Sequence, residues 1–256
     1  GFRTGLACAF AMLAFAGRQP QRASASEFIC RPSTLTRDAT DLASTLTKGA
    51  APLRILAIGS SSTEGIGASG KDKTYPARLG SLLRDGLGGR SIEMVNAGIG
   101  GETAPQTLLR LKAALVDGRY DLVIWQVGAN AVLRENGVDG YEPVIRDGVR
   151  RLKASGADVV LMDLQYAPRM LREPDYPDME EMLGRIASEE RVGLFHRFRI
   201  MRLWIESGRM TNDEMPSPDG LHLNDLSYGC IGRLVAQSIV DGAVGCAGRV
   251  PLVIVE

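Results

Sequence analysis

Short apolar runs alternate with segments of helical periodicity over most of this chain, and no other feature restricts its fold as strongly. The runs cover residues 55–58, 91–96, 121–127, 157–164 and 192–195. Apolar residues recur at helical spacing over residues 74–87, 104–117, 142–154, 180–190, 197–207 and 226–239. Strands that alternate with helices on short connections form right-handed crossovers and a parallel sheet with helices on both faces. We therefore expect an α/β protein, a three-layer α/β/α sandwich around a five-stranded, mainly parallel sheet.

The length of the chain suits one substantial core, and nothing in the sequence indicates a second. The chain has 256 residues, of which 45% are hydrophobic and 23% are charged. A chain of this size and composition buries a single core well. We expect one domain over residues 52–256, preceded by a polar arm over residues 26–51. The apolar residues 250–256 fit either an edge strand or a hydrophobic tail.

Residues 1–25 have the features of a signal peptide. Arg3 precedes an apolar stretch over residues 6–16, which is too short to cross a bilayer but suits the core of a leader. Two A-x-A patterns of the kind that leader peptidases cleave follow, at residues 14–16 and 23–25. A buried N-terminal helix is the alternative. The leader predicts a periplasmic or secreted protein that is not stably inserted in a membrane once the leader is cleaved.

The charge balance argues against two classes of partner. Thirty Lys and Arg residues balance thirty Asp and Glu residues, and no basic run stands out. The electrostatic signature of a protein that binds nucleic acid or an anionic membrane is therefore missing. No His or Cys residues have the spacing of a zinc site. We expect a small-molecule partner, no nucleic acid, no metal and no cofactor.

The cysteines allow at most one intramolecular disulfide in the mature protein. Removal of the leader takes away Cys8 and leaves Cys30, Cys230 and Cys246. Cys30 precedes the first strand and Cys246 follows the last helix, so both are expected near the sheet edge opposite the candidate site described below. The sequence therefore predicts a bridge between these two.

A serine-rich turn follows the first strand. Residues 53–67 read LRILAIGSSSTEGIG, in which the apolar run ends at Gly59 and three serines follow. In a strand-turn-helix unit the residue two beyond the glycine lies at the exposed apex, near a helix N-terminus. This position favours Ser61 over Ser60 and Ser62 as a nucleophile. Taken alone, the turn fits a phosphate-binding or purely structural role equally well.

A general base is available in the loop before the last helix. The chain has two histidines, and only His222 follows a carboxylate at close spacing, three residues after Asp219. The carboxylate would fix the ring tautomer through Nδ1 and leave Nε2 free to accept the proton of Ser61. His196 has only Arg and Phe as close neighbours and is the alternative base, although a packed or surface role suits it better.

Two further turns offer hydrogen-bond donors for a developing oxyanion. Gly101 lies in NAGIGGET after the second strand, and Asn130 lies in QVGANAV after the third. A glycine lets the backbone approach a ligand closely, and an asparagine amide can point into the same space. With the backbone N–H of Ser61, these groups make three candidate donors. Each turn taken alone fits a structural role.

The four blocks GSSST, NAGIGGET, GANA and DGLH, in this order, resemble those of the SGNH hydrolase superfamily, the GDSL-type esterases and lipases. The leader is similar to that of the exported bacterial branch. The resemblance covers roughly residues 53–244. It implies a flavodoxin-like sheet, Ser61 as nucleophile, Asp219 and His222 as the rest of the triad, and an oxyanion hole of Ser61, Gly101 and Asn130.

This chain departs from the family pattern at two positions. Ser60 stands where the family usually has Asp after the first glycine, and Ala131 stands where the third block usually has Asp. Neither position carries one of the family's catalytic groups. The departures leave open how the nucleophile turn is braced.

The resulting hypothesis is a serine hydrolase that cleaves carboxylic esters through an acyl-enzyme. No long insertion interrupts the turns, which favours short-chain or O-acetyl esters on small molecules or glycans. Tyr166 and Arg169, in the loop over residues 165–177, are candidate substrate-binding residues. Residues 65–70 formally match G-x-G-x-x-G but begin several residues past the strand, so a flavodoxin-like phosphate- or nucleotide-binding protein is the second hypothesis. A catalytically silent carbohydrate-binding relative is the third.

Overall fold

The computed structural model describes residue 30 and residues 52–87, 89–134 and 138–247. Except for Cys30, the expected leader and arm lie outside these residues, as does the apolar segment 250–256. The five strands are β1 (Leu53–Gly59), β2 (Ile92–Gly98), β3 (Leu122–Gln126), β4 (Asp158–Met162) and β5 (Gly193–Phe195). The helices in the described residues are α1 (Ser61–Glu64), α2 (Tyr75–Gly86), α3 (Ala104–Asp117), α4 (Ala129–Arg134), α5 (Tyr141–Ala154), α6 (Tyr176–Glu190), α7 (Arg197–Glu206) and α8 (Asp225–Ala247). Two 3-10 turns cover Lys71–Lys73 and Met170–Arg172.

All neighbouring strands of the sheet are parallel, in the order β2-β1-β3-β4-β5. This order places β1 between β2 and β3. The chain therefore adds β2 on one side of β1 and then adds β3 to β5 on the other side. In such sheets the carboxyl ends of the central strands border the crevice in which ligands bind. The α/β fold with a five-stranded parallel sheet, expected from the alternation of strands and helices, is confirmed.

Two apolar clusters flank the sheet and make the three layers. Leu56 and Ile58 of β1 face the cluster with α3, α5 and α6, while Ile55 and Ala57 face the cluster with α2 and α8 and most of the buried α7 residues. Successive side chains of a strand point to opposite faces, and a parallel sheet covered on both faces is apolar on both. This is why the central strands read as continuous apolar runs.

Several element boundaries differ from the sequence expectation. The strand expected over 91–96 continues to Gly98, because Ala97 and Gly98 pair with the end of β1. Helix α6 begins at Tyr176 rather than near 180, with Pro177 in its first turn, where a proline is well tolerated. Helix α8 extends eight residues beyond the expected end at 239. The short helices α1 and α4 lie where only turns were expected.

The expected disulfide between Cys30 and Cys246 is wrong, because Cys30 is bonded to Cys230. Cys230 lies in the second turn of α8 and is fully buried in the cluster that α8 forms with α2. At about 1.5 Å per helical residue, Cys246 is roughly 24 Å farther along the same helix. The bridge therefore fixes Cys30 near the start of α8 rather than near its end.

Candidate active site

The serine turn lies at the carboxyl edge of the sheet, directly after β1. Gly59 ends the strand, Ser60 is the N-cap of α1, and Ser61 is the first residue of that helix. A Cβ added to Gly59 would lie 2.8 Å from two oxygens of Gln126, so only glycine fits this corner. A Cβ on Gly98 would lie 2.0 Å from the backbone nitrogen of Glu64, so α1 packs directly on the end of β2. The turn is therefore held between the two strands that flank β1.

The structure brings together Ser61, His222 and Asp219, although 161 residues separate the serine from the histidine. The Nε2 atom of His222 lies 2.8 Å from the Oγ atom of Ser61. The Nδ1 atom of the same ring contacts Oδ2 of Asp219. With the Nδ1 proton donated to the carboxylate, Nε2 is left to accept a hydrogen bond from the serine hydroxyl.

The Asp219 carboxylate is surrounded by donors. Its Oδ1 accepts hydrogen bonds from the Ser217 hydroxyl at 2.8 Å and from the backbone N–H groups of Leu221 at 3.0 Å and His222 at 2.9 Å. Partial burial raises the pKa of Asp219, but the His222 ring, these N–H groups and the hydroxyl outweigh it and hold the pKa well below its usual range. The carboxylate therefore stays ionised and orients the imidazole.

The loop that carries His222 is closed on itself and packed against the chain after α1. The Ser217 N–H donates to the His222 carbonyl, and Gly220 turns the loop with a φ of +67°. A Cβ added to Gly67 would lie 2.4 Å from the Leu223 carbonyl oxygen. This close approach accounts for a glycine of the G-x-G-x-x-G match: Gly67 lets this segment pack against the histidine loop.

The glycine-rich turn after β2 lies beside Ser61. A Cβ added to Gly100 would lie 3.8 Å from the Cβ atom of Ser61, and the Gly100 N–H donates to the Glu64 carboxylate at 2.6 Å. Gly101 has a φ of +83°, and its carbonyl accepts a hydrogen bond from Arg134 at 3.0 Å. Within the described part of the chain, the backbone N–H groups of Gly101 and Ser61 have no hydrogen-bond acceptor.

Asn130, in α4, lies against the same turn. Its side-chain amide donates to the carbonyl of Glu102 at 2.8 Å, and the residue is buried. An amide nitrogen carries two N–H bonds, so this contact leaves a second donor. The structure thus places Ser61 beside Gly100 and Asn130 beside Glu102, the two residues that flank Gly101 in this turn.

The other candidate residues, Tyr166, Arg169 and His196, take no part in the contact between Ser61 and the His222 ring. The Tyr166 ring is partly buried and packs edge-on against Phe198, with the ring centroids 5.2 Å apart. Arg169 has an exposed side chain, and its backbone N–H donates to the carbonyl of Gly220 in the histidine loop. His196, the alternative base, follows β5, and its Nδ1 atom is 3.8 Å from Oδ2 of Asp163, whereas Nε2 of His222 is the imidazole atom that contacts Ser61.

Three polar residues next to the site were not singled out from the sequence: Gln126, Glu64 and Arg134. Gln126 contacts the serine turn, and the other two contact the glycine-rich turn. Gln126 had a usable signal, because it is the one polar residue of the otherwise apolar strand LVIWQ. Glu64 and Arg134 had none, since charged residues in exposed turns are ordinary.

The described residues contain no group of three or more His, Cys, Asp or Glu side chains arranged to hold a metal ion. Over the same residues, no helix is both long and apolar enough to cross a membrane.

Comparisons with known proteins identify the family of this chain. The model of the non-GDSL lipase-like family matches residues 30–244. An arylesterase of Vibrio mimicus is 30% identical over 177 residues, which are 66% of this chain and 80% of that protein. Esterase TesA of Pseudomonas aeruginosa is 28% identical over 153 residues, which are 58% of this chain and 72% of that protein.

Among solved structures, a two-domain esterase active on acetylated mannans, crystallised with mannopentaose, has a TM-score of 0.64 and 22% identity. The match covers 75% of this chain, which spans half the length of that protein. This likeness concerns the fold. Taken with the family match over most of the chain and with the two esterase relatives, it leads to one conclusion: this chain belongs to the non-GDSL lipase-like family and is an SGNH-type carboxylic ester hydrolase.

Proposed function

We propose that this ester hydrolase works through an acyl-enzyme, with Ser61 as nucleophile, His222 as general base and Asp219 as the group that orients the base. The observation that carries the proposal is the contact of 2.8 Å between Oγ of Ser61 and Nε2 of His222, on a ring whose other nitrogen contacts Asp219. A nucleophile within hydrogen-bond reach of a base, which is itself oriented by a third group, is the arrangement that acyl transfer needs.

In the first half of the cycle, Oγ of Ser61 attacks the ester carbonyl carbon while Nε2 of His222 takes the hydroxyl proton. The carbonyl oxygen becomes an oxyanion, and the N–H groups of Ser61 and Gly101 together with the Asn130 amide are the proposed donors to it. The bond to the alkoxy oxygen then breaks, and His222 gives its proton to the departing alcohol.

In the second half, water attacks the acyl-enzyme carbonyl and His222 takes a proton from that water. The tetrahedral intermediate collapses, the proton returns to Oγ of Ser61, and the carboxylic acid leaves. The low pKa of Asp219 keeps its carboxylate charged beside the imidazolium that forms in both halves. No cofactor takes part in this cycle.

The proposed substrates are short-chain or O-acetyl esters of small molecules or glycans. Two observations support this class: the fold is shared with an esterase active on acetylated mannans, and the curated relatives are an arylesterase and an esterase. Tyr166 and Arg169 are the proposed substrate-contacting residues, because their loop touches the loop of His222 through Gly220.

We also propose that the protein acts in the periplasm or outside the cell. The disulfide between Cys30 and Cys230 supports this location, because such bonds form and persist in oxidising compartments. The signal-peptide features of residues 1–25 point the same way.

The test of the nucleophile is Ser61→Ala, measured with p-nitrophenyl acetate. We expect kcat to fall by about 10⁵- to 10⁶-fold, as in other serine triads, and a fluorophosphonate probe to label the wild type but not the variant. Ser60→Ala is the matched control on the adjacent serine; it removes one hydroxyl contact of the turn with Gln126 and keeps the backbone contact, so we expect kcat to fall less than about tenfold. If Ser60→Ala is inactive while Ser61→Ala is active, Ser60 is the nucleophile and the proposal is wrong.

The oxyanion donors predict a graded loss. Asn130→Ala removes one donor of three, so we expect kcat to fall by about 10²- to 10³-fold while the fluorophosphonate still labels Ser61. If the variant kept full activity, Asn130 would not be part of the oxyanion hole.

A series of p-nitrophenyl esters from acetate to decanoate, together with acetylated saccharides, tests the proposed substrate class. The highest kcat/KM on the longest acyl chains would contradict the proposal of short-chain or O-acetyl esters.

A further inference from the structure

The bracing of the nucleophile turn rests on one buried side chain, Gln126, at the end of β3. Gln126 is 2% exposed, and its Oε1 atom lies within hydrogen-bond distance of three donors of the turn. They are the backbone N–H of Ser60 at 2.9 Å, the hydroxyl of Ser60 at 3.1 Å and the hydroxyl of Thr63 at 3.3 Å. Ser60, which caps α1, and Thr63, which lies within α1, thus both contact a single oxygen atom on the neighbouring strand.

The backbone of the turn is shaped for this contact. Ile58 of β1 pairs with Trp125 of β3, so the next residues, Gly59 and Gln126, meet where both strands end. A Cβ added to Gly59 would lie 2.6 Å from the Thr63 hydroxyl and 2.8 Å from Oε1 of Gln126. The absence of a side chain at this corner is what lets the glutamine reach the turn.

The Ser60 hydroxyl is used differently from that of most N-cap serines. A serine at this position commonly accepts a hydrogen bond from an N–H of the first helical turn. Ser60 makes no such cap, and its hydroxyl instead donates to Gln126. The N–H of Ser61, the first of the helix, also has no acceptor among the described residues and stays available to a ligand.

A further hydrogen bond, between Thr63 and Tyr75, fixes the direction in which the hydroxyls of the network donate. The Thr63 hydroxyl is 3.2 Å from the hydroxyl of Tyr75. With its own proton donated to Gln126, Thr63 accepts the proton of Tyr75. Burial raises the pKa of Tyr75 to about 12, so this tyrosine remains a donor over the working range of the enzyme. Every hydroxyl of the network therefore donates toward Oε1 of Gln126.

We propose that Gln126 is a positioning residue for the reaction, whose amide oxygen holds the serine turn so that Oγ of Ser61 stays aligned with Nε2 of His222. Ser60 stands where related enzymes usually carry an aspartate, and Gln126 contacts both the backbone and the hydroxyl of this serine. The inference rests on the proposed function of Ser61. Loss of a buried acceptor for three donors frees the turn, and a nucleophile misplaced by about 1 Å costs up to roughly 10²-fold in rate.

The test compares two replacements of nearly the same size in the full-length protein. Gln126→Met keeps the volume but removes the acceptor oxygen, and we expect kcat for p-nitrophenyl acetate to fall about 10- to 100-fold with KM nearly unchanged. Gln126→Glu keeps an oxygen that accepts from all three donors, and we expect it to restore kcat to within about threefold of the wild type. Labelling of Ser61 by a fluorophosphonate should slow in parallel with kcat in both variants.

Stability is controlled separately. Leu183→Ala, on the buried face of α6, removes core packing but none of the hydrogen bonds of the network, so the midpoint of thermal unfolding should fall while kcat stays near that of the wild type. If Gln126→Met does not fold, Thr63→Val removes one of the three donors and should lower kcat by a smaller factor. The inference is overturned if Gln126→Met has wild-type kcat, or if Gln126→Glu is as impaired as Gln126→Met. Failure of the proposed function is distinguished from these outcomes by Ser61→Ala, which would then remain active.

Discussion

At the scale of single residues, two aspartates at the carboxyl edge of the sheet have pKa values shifted in opposite directions. Asp219 receives several hydrogen bonds and keeps a low pKa. Asp163 is fully buried at the end of β4, and burial together with the adjacent Glu180 carboxyl raises its pKa well above the usual range. Oδ1 of Asp163 accepts from the N–H of Phe198, but no N–H group of the described residues donates to its Oδ2. The Asp219 carboxylate serves the site, and the buried pair of Asp163 and Glu180 serves the scaffold.

The buried pair predicts a pH-dependent stability. Burial raises the pKa of Glu180 to about 7, so the native state binds its proton more tightly than the unfolded state does. The free energy of unfolding therefore falls as pH rises from about 4.5 to 7, and the loss is complete above that window. Glu180→Gln removes this titration, and its amide can donate to Oδ2 of Asp163 while still accepting from the N–H of Leu164. We expect the variant to gain about 1–3 kcal/mol over the wild type at pH 8 and much less at pH 5.

Urea unfolding at the two pH values measures this difference. The control is Glu181→Gln on the next residue of α6, whose side chain is 81% exposed, and its effect should be small and independent of pH. A Glu180→Gln variant that is less stable than the wild type at pH 8, or that shows the same gain at both pH values, contradicts the prediction.

Local spacing was enough to predict some of these residues and not others. Asp219 and His222 are three residues apart in one loop, so their contact follows from the chain itself. The role of Gln126 depends on its contacts with Ser60 and Thr63. These residues precede it by 66 and 63 positions and follow a different strand, so no local sequence pattern encodes the contacts. The same limit applies to Asp163, whose partner Glu180 comes from the following helix.

At the scale of secondary-structure elements, helix α8 lies against α2 at a point of close backbone approach. A Cβ added to Gly232 would lie 2.8 Å from Cβ of Arg78 and 3.1 Å from the carbonyl oxygen of Tyr75. A Cβ added to Gly229, one turn earlier on the same helix, has nothing within 4 Å. The two glycines therefore differ in packing while sharing the same helical backbone.

This difference predicts opposite effects of the same substitution. Gly232→Ala forces the helices apart, and we expect a loss of about 1–2 kcal/mol in the free energy of unfolding, since overpacking exceeds the gain in helix propensity. Gly229→Ala gains helix propensity without a clash and should add about 0.5–1 kcal/mol. Urea unfolding of the two variants measures both changes. Effects of equal sign and size would show that the interhelical contact does not limit packing.

The periodic elements were the most predictable part of the fold. Helix α3 has the bounds that its apolar spacing predicts, because its pattern, its N-terminal proline and its terminal glycine agree. The short helices α1 and α4 were not predicted, since four and six residues are too few to show a period. Both are stabilised by packing at the ends of strands, which sequence periodicity does not report.

At the scale of the whole molecule, the disulfide joins residues 200 positions apart. By the chain-entropy argument, a closed loop of this length stabilises the folded state by up to about 5 kcal/mol, and measured effects are commonly about 2–4 kcal/mol. We expect reduction by dithiothreitol, or a double variant with Cys30→Ser and Cys230→Ser, to lower the midpoint of thermal unfolding by about 5–15 °C. Differential scanning calorimetry checks this. The double variant should not respond to dithiothreitol, and an unchanged midpoint for the reduced wild type would contradict the prediction.

The same bridge changes how damage to the polypeptide would be seen. The segment between Cys30 and β1 is covalently attached at both ends: the bridge joins Cys30 to Cys230, and the polypeptide continues into Leu53. A protease that cuts once between positions 30 and 53 therefore releases nothing: the piece before the cut stays attached by sulfur, and the nicked product migrates as an intact band until a thiol reagent is added. Purity of such a preparation has to be judged by electrophoresis under both oxidising and reducing conditions.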